Sequence, residues 1–322
     1  MPACLRGPHL SFQTWPSNDS KAQDVSAASA LGRLTRLEVD CTANRGAVIS
    51  EESLVHLSGL SRLEALRLAD WGFPYQGAGF GHLTGLRRLR RLALIGIAQF
   101  TPDMGANLGY LGSSLRSLEL TAERIDPNAL PTLVASLPGL RHLSLDPSEM
   151  RLLSSDLGTA LLPLRHLLSL HLKGYWDSGD DSGYDVALPP TLRRLVLLTT
   201  QNALLLRRFT GSLGHTADGR SSRIRSLGIQ LFSAAEPFLR ALPEMEGLKR
   251  LEIIASFPGW TRLDATRLGA SLAELGSVQE LVLRPYNSHL LQKRQMFMAE
   301  VPERCPGISV VALEDPIQLG EL

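Results

Sequence analysis

The chain has 322 residues, 44% of them hydrophobic and 20% charged, with 33 basic against 32 acidic side chains and a net charge of +1. No strong field calls for nucleic acid or a membrane surface. No apolar run approaches the roughly 18 residues that span a bilayer, and the first residues lack the continuous apolar stretch of a secretory signal, so a cytoplasmic chain is expected.

Residues 1–30 are polar, carry Pro2, Pro8 and Pro16, and have no acidic residue before Asp19. They read as a disordered lead-in or a partial cap. A transit peptide, and with it an organelle, is the alternative; it is weakened because Arg6 is the sole basic residue before Lys21.

From Leu34 onward one spacing recurs: apolar, two variable residues, apolar, one variable, apolar. Copies start at Leu34, Leu63, Leu89, Leu115, Leu140, Leu167, Leu192, Ile224, Leu248, Val278 and Ile308, at intervals of 24 to 32 residues. The second and third apolar members are two apart, which is strand spacing: both point to one face and the residues between them to the other. Between strands, helical periodicity appears, as in Leu130, Leu133, Val134 and Leu137. Start signals accompany it: Ser50 before Glu51 and Glu52, Thr101 before Pro102, Asp126 before Pro127, Ser233 with Glu236, and Asp264 ahead of Leu268, Leu272 and Leu275. No single unit can bury its own apolar stripe, so residues 31–315 are expected to stack as one α/β domain of about 11 repeats, a parallel sheet on the inner, concave face and helices on the convex one. Residues 316–322 are left as a tail.

The spacing resembles that of intracellular leucine-rich-repeat families, typified by ribonuclease-inhibitor-like proteins and leucine-rich F-box proteins. The resemblance implies a horseshoe-shaped solenoid that holds a protein partner. Two departures stand out. The eighth position after the first apolar residue, where many such families carry an Asn ladder, holds Thr42, Trp71, Ile97, Glu123, Ser148, Tyr175, Thr200, Phe232, Ser256, Tyr286 and Pro316. Backbone groups of the loops must then be satisfied otherwise, with the aromatic residues filling core space. In addition, residues 1–30 are too short and too polar for an F-box, which argues against a ubiquitin-ligase substrate receptor.

Positions three, five and seven of each copy should line the free face of the sheet. From them the expected partner-binding set is Arg91, Ile95, Glu119, His142, His171, Arg194, Val196, Leu198, Arg250 and Ile254, apolar anchors flanked by arginines. A second row follows the first apolar residue: Arg90, Arg116, Arg141, Arg193, Arg225 and Lys249. It reads as long side chains covering apolar surface with their heads in water; docking of an acidic partner or a phosphate backbone is the alternative.

Catalytic readings are weaker. Ser144, Asp146 and His171 fall on successive copies, yet an open sheet face supplies no cleft for nucleophilic catalysis. Asp177, Asp180, Asp181 and Asp185 lack the spacing of a calcium loop and read as a solvated insertion. Cys4, Cys41 and Cys305 are odd in number and far apart, without metal spacing or a disulfide framework, which fits a reducing compartment. The expectation is a non-enzymatic scaffold or adaptor, without cofactor or metal, monomeric outside its complex and binding a protein rather than nucleic acid or membrane. A ligase receptor and a structural component of a large assembly such as an axoneme are the alternatives.

Overall fold

A computed structural model describes residues 9–12, 33–41, 54–55, 57–73, 78–149, 157, 160–174, 188–199, 223–231, 239, 242–245, 247–255, 262–285 and 291–312. Two compact units emerge from its internal contacts, Met1–Arg151 with Pro163–Leu167 and Leu152–Leu162 with Leu168–Leu322.

Among its described residues the first unit carries six strands that pair in chain order, all parallel: β1 (His9–Phe12), β2 (Arg36–Asp40), β3 (Ala65–Phe73), β4 (Arg91–Phe100), β5 (Ser117–Ile125) and β6 (His142–Glu149). Five coincide with the first five copies of the repeat. The remaining one, β1, lies in the segment read as lead-in or cap and pairs Leu10 with Leu37 and Phe12 with Val39. These two residues occupy the second and third apolar positions; the first would be Gly7, so the three-member pattern is broken there.

The second unit holds β7 (Ser169–Gly174), β8 (Arg194–Thr199), β9 (Ser226–Leu231), β10 (Arg250–Ala255), β11 (Glu280–Pro285) and β12 (Ser309–Ala312), again parallel and sequential. Each begins two residues after, or one residue after, the first apolar member of its copy. Equivalent positions face one another throughout: Leu37, Leu66, Leu92, Leu118 and Leu143 form one row, and Leu170, Leu195, Leu227, Leu251 and Leu281 another. All ten are buried. A one-residue slip would turn every leucine to the other face, so the apolar pattern itself fixes the register.

The rungs share one junction. The Glu64 carbonyl accepts from the amides of both Arg90 and Arg91, that of Arg90 from Arg116 and Ser117, and that of Arg116 from Arg141 and His142. In the second unit Leu168, Arg193, Arg225 and Lys249 do the same for the copies that follow them.

Between strands the chain forms short helical segments, several of them 3-10 rather than α, such as Ala78–Gly85. Helix α1 (Pro102–Leu108) starts as its sequence predicts: Pro102 takes the first turn and the Thr101 side chain accepts from the Met104 amide. Helix α2 (Ala129–Ser136) buries Leu130, Leu133 and Val134, but Asp126 does not cap it directly. Its carboxylate accepts from the Asn128 amide at 2.8 Å, closing a turn that precedes the helix. Helix α3 (Arg262–Leu275) already includes Asp264, so the expected cap falls inside the first turn. Helix α4 (Leu291–Arg304) packs on α3, where Cys305 donates to the Gly269 carbonyl. The start signals at Ser50 and Ser233 lie outside the described residues. Gly112 lets two segments of the helical layer approach closely, because a Cβ there would sit 2.4 Å from the Ser136 carbonyl oxygen.

Strands β3 to β6 run eight to ten residues, past the end of the apolar repeat. In β4 one extra residue, Gly96, sits between Ile95 and Ile97 with φ of +86°, a bulge that only glycine adopts without strain. It swings Ile97 from the free face to the core, where it is fully buried. The ladder then continues through Ile97 and Ala122, Gln99 and Arg124, Phe100 and Ile125. Strand hydrogen bonds thus satisfy backbone groups that an Asn ladder serves elsewhere. Of the eighth-position residues, Ile97 fills core space, whereas Glu123 and Ser148 are exposed. The side chains of Trp71, Tyr175, Phe232 and Tyr286 lie outside those described.

Candidate functional site

The free face of the sheet differs between the units. On β2 and over the repeat positions of β4, β5 and β6 the side chains alternate between buried aliphatic residues and half-exposed or exposed ones. There Arg91 and His142 are exposed while Ile95 and Glu119 are half-buried. Register places them in one patch: Arg91, Ser117 and His142 in one row, Ala93, Glu119 and Ser144 in the next, Ile95, Thr121 and Asp146 in the third. With strands about 4.8 Å apart, the three rows form a compact grid of mixed polarity. Next to it Arg67 bridges Glu38 at 3.0 Å and Asp40 at 3.2 Å, and all three side chains are a quarter to a third exposed.

In the second unit the alternation stops. His171, Val196 and Ile254, expected to offer themselves to a partner, are 5%, 2% and 2% exposed, and Ser169, Lys173, Gln230 and Glu252 are buried as well. The expectation of a free face is therefore corrected for these positions. Arg194, Leu198 and Arg250 remain partly accessible. The physical reason is visible in the fifth-position row, where His171, Val196, Gly228, Glu252 and Val282 stand side by side. Gly228 leaves room for the Val196 methyls, which would lie 3.2 Å from a Cβ at that position. The apolar members remove surface from water, and the carboxylate of this row, Glu252, is compensated by charge. It pairs with Arg284 and lies 3.8 Å from Arg250, which in turn holds Glu280 at 2.6 Å. Burial pulls the Arg194 guanidinium below the ordinary arginine range; Glu252 opposes that shift, while Arg250 and Arg284 add to it.

The basic row after the first apolar residue is exposed at Arg90, Arg141, Arg193, Arg225 and Lys249 and half-buried at Arg116. In the first unit three of its members converge on a recess of about 540 Å³, together with Arg87, Arg88, Glu64, Ser113 and Ser114.

A scan against protein-family models finds no match, and no curated protein matches the sequence. Solved structures do match. The leucine-rich-repeat-containing protein LegL7 from Legionella pneumophila aligns over 92% of this chain and 90% of its own, at 14% identity and a TM-score of 0.51. That likeness, joined to eleven repeat copies in parallel register, decides the architecture. The chain has the leucine-rich-repeat solenoid fold. Also similar are the leucine-rich-repeat protein LIC12759 of Leptospira interrogans, at 11% identity over 93% of this chain and 81% of that one with a TM-score of 0.30, and TLR13 in its complex with ssRNA13, at 14% over 95% and 50% with a TM-score of 0.36.

The serine and histidine residues weighed for nucleophilic catalysis lie on strands β6 and β7. Ser144 and His171 belong to different units. Ser169 Oγ instead meets His171 Nε2 at 3.0 Å along the same strand, both side chains buried. The Ser144 hydroxyl is buried and finds no hydrogen-bond partner. Cys41 and Cys305 are free and buried, and burial pushes the Cys305 thiol up, away from the reactive thiolate. Among the described residues there is no group of three metal-ligating side chains, and no helix is long and apolar enough to cross a membrane. The acidic stretch Asp177–Asp185 and Cys4 lie outside the described residues.

Proposed function

We propose that the chain is a non-catalytic interaction scaffold that holds a protein partner on the strand face of its first unit. The leucine-rich-repeat fold is generally a protein-binding one. The observation that carries the reading is the alternation on β4, β5 and β6: every second residue is committed to the core, and the residues between them present Arg91, Ile95, Glu119 and His142 on one rigid surface. Rigid strands hold these groups at fixed spacing, so little conformational entropy is lost when a partner docks. Ile95 is the apolar anchor and Arg91 and His142 the donors around it, a composition suited to an interface centre. Arg194, Leu198 and Arg250 are candidates on the second unit's own strand face; His171, Val196 and Ile254 lie in that unit's interior. Seven of the ten expected contact residues are retained in this reading.

The test is quantitative affinity purification with the full chain against an Arg91→Glu, Ile95→Asp, His142→Glu variant. The expected result is loss of a discrete partner from the variant at unchanged far-UV circular dichroism. The same partners recovered in equal amount would overturn the assignment of this face.

A further inference from the structure

We propose that the arginine-lined recess of the first unit is a binding site for a compact ligand bearing several phosphate groups. The site is separate from the strand face above and stands or falls independently of it.

Charge is the first argument. Arg87, Arg88, Arg90, Arg116 and Arg141 all border a space of about 540 Å³, and among the described residues Glu64 is the one acidic residue in its wall. The whole chain carries a net charge of +1, so this recess concentrates positive charge that the rest of the molecule balances. Five guanidinium groups around one cavity repel each other unless an anion lies among them. Four of the five are exposed, which makes their heads available.

Geometry is the second. Arg90, Arg116 and Arg141 hold the same position on consecutive rungs, linked by the backbone junction in which Arg116 donates to the Arg90 carbonyl and Arg141 to the Arg116 carbonyl. They are therefore spaced by the strand repeat, about 4.8 Å, on a fixed frame. Arg116 is locked further. Its Nη1 donates to the Leu115 carbonyl at 2.9 Å and its Nη2 to the Ser113 carbonyl at 3.0 Å. Gly139 makes the space, since a Cβ there would lie 2.7 Å from Nη1. A guanidinium has five N–H donors, so Arg116 keeps three for a ligand after these two bonds. Arginine forks match phosphate oxygens in pairs, and several forks on one frame favour a ligand with several phosphates over a single small anion.

Size is the third. The volume falls within the range of about 300–1,000 Å³ usual for small-molecule sites. A single recess of this size favours a compact solute over a nucleic-acid strand, which would engage basic groups along several rungs.

The test titrates the full chain with inorganic tripolyphosphate by isothermal calorimetry at about 0.1 M salt. Saturable binding near one to one is expected. An Arg87→Gln, Arg88→Gln, Arg141→Gln variant leaves the locked Arg116 in place and should weaken binding on the order of a hundredfold. The matched control, Arg193→Gln, Arg225→Gln, Lys249→Gln, removes the same three charges from the equivalent row of the second unit and should change affinity less than about threefold. Equal weakening by both variants would reduce the effect to net charge and overturn the site. So would the absence of saturable binding, or binding confined to a poly-uridine strand and growing with its length. Circular dichroism of both variants should match the parent chain.

Discussion

Strands β3 to β6 and strands β7 to β11 are built from the same repeat and end in different environments. The former are long, run on past the apolar repeat, and on β4 to β6 leave their second face half-open; the latter stop after six residues and bury the centre of their second face as well. The leucine rows are alike in the two groups, so the repeat dictates where each strand lies and how it pairs, and leaves the fate of the other face to whatever side chains stand in it. Charged groups follow the same division. Arg67 with Glu38 and Asp40 is a surface triad, whereas Glu252 with Arg284 is an interior pair.

Matched substitutions at equivalent positions break or sharpen that contrast. The largest effect is expected at the fifth position of the repeat. Val196→Asp places a carboxylate in a buried apolar site and should destabilise by about 4 kcal/mol, while Ala93→Asp, half-exposed at the same repeat position, should cost about 0.5 kcal/mol. Equal shifts in the urea midpoint would erase the difference between the two faces. Next comes the ion-pair comparison. Glu252→Ala strands the part-buried Arg284 and should cost about 3 kcal/mol, against about 0.5 kcal/mol for Glu38→Ala; thermal unfolding at two salt concentrations reads both, and the Glu38 effect alone should shrink at high salt. Gly112→Ala forces a Cβ against the Ser136 carbonyl and should destabilise by about 2 kcal/mol. By contrast, Gly269→Ala meets only the flexible Arg304 side chain and should stay within about 0.5 kcal/mol of the parent. One change has the opposite sign: Ser144→Ala removes a buried hydroxyl without a partner and should stabilise by up to about 1 kcal/mol in calorimetry.

The eleven strand positions and their register were legible because a spacing of two within each copy and a repeat of 24 to 32 residues admit one stacking. Strand β1 was missed because Gly7 stands where the first apolar member belongs. Prolongation of β4 was hidden by Gly96, whose bulge makes Ile97 look like a free-face residue. Burial of His171, Val196 and Ile254 depends on side chains of other rungs, which the sequence of each strand alone does not display. A signal did exist: the fifth-position row changes from Glu38, Arg67, Ala93, Glu119 and Ser144 to His171, Val196, Gly228, Glu252 and Val282. Reading that row across copies, rather than along each strand, separates the two groups. The arginine recess was visible as a basic row, but the row alone gave no reason to single out its first three members; Gly139 and the loop arginines Arg87 and Arg88 supply it only in three dimensions.

The junction in which one carbonyl receives two successive amides has a consequence for how such a chain can change length. Since the connection at Arg90 has the same form as the one at Arg225, a whole rung can be duplicated or excised without creating a new kind of joint. Growth by copying is then structurally silent at the seams, and what distinguishes one rung from another is free to drift in the side chains that the seam does not use.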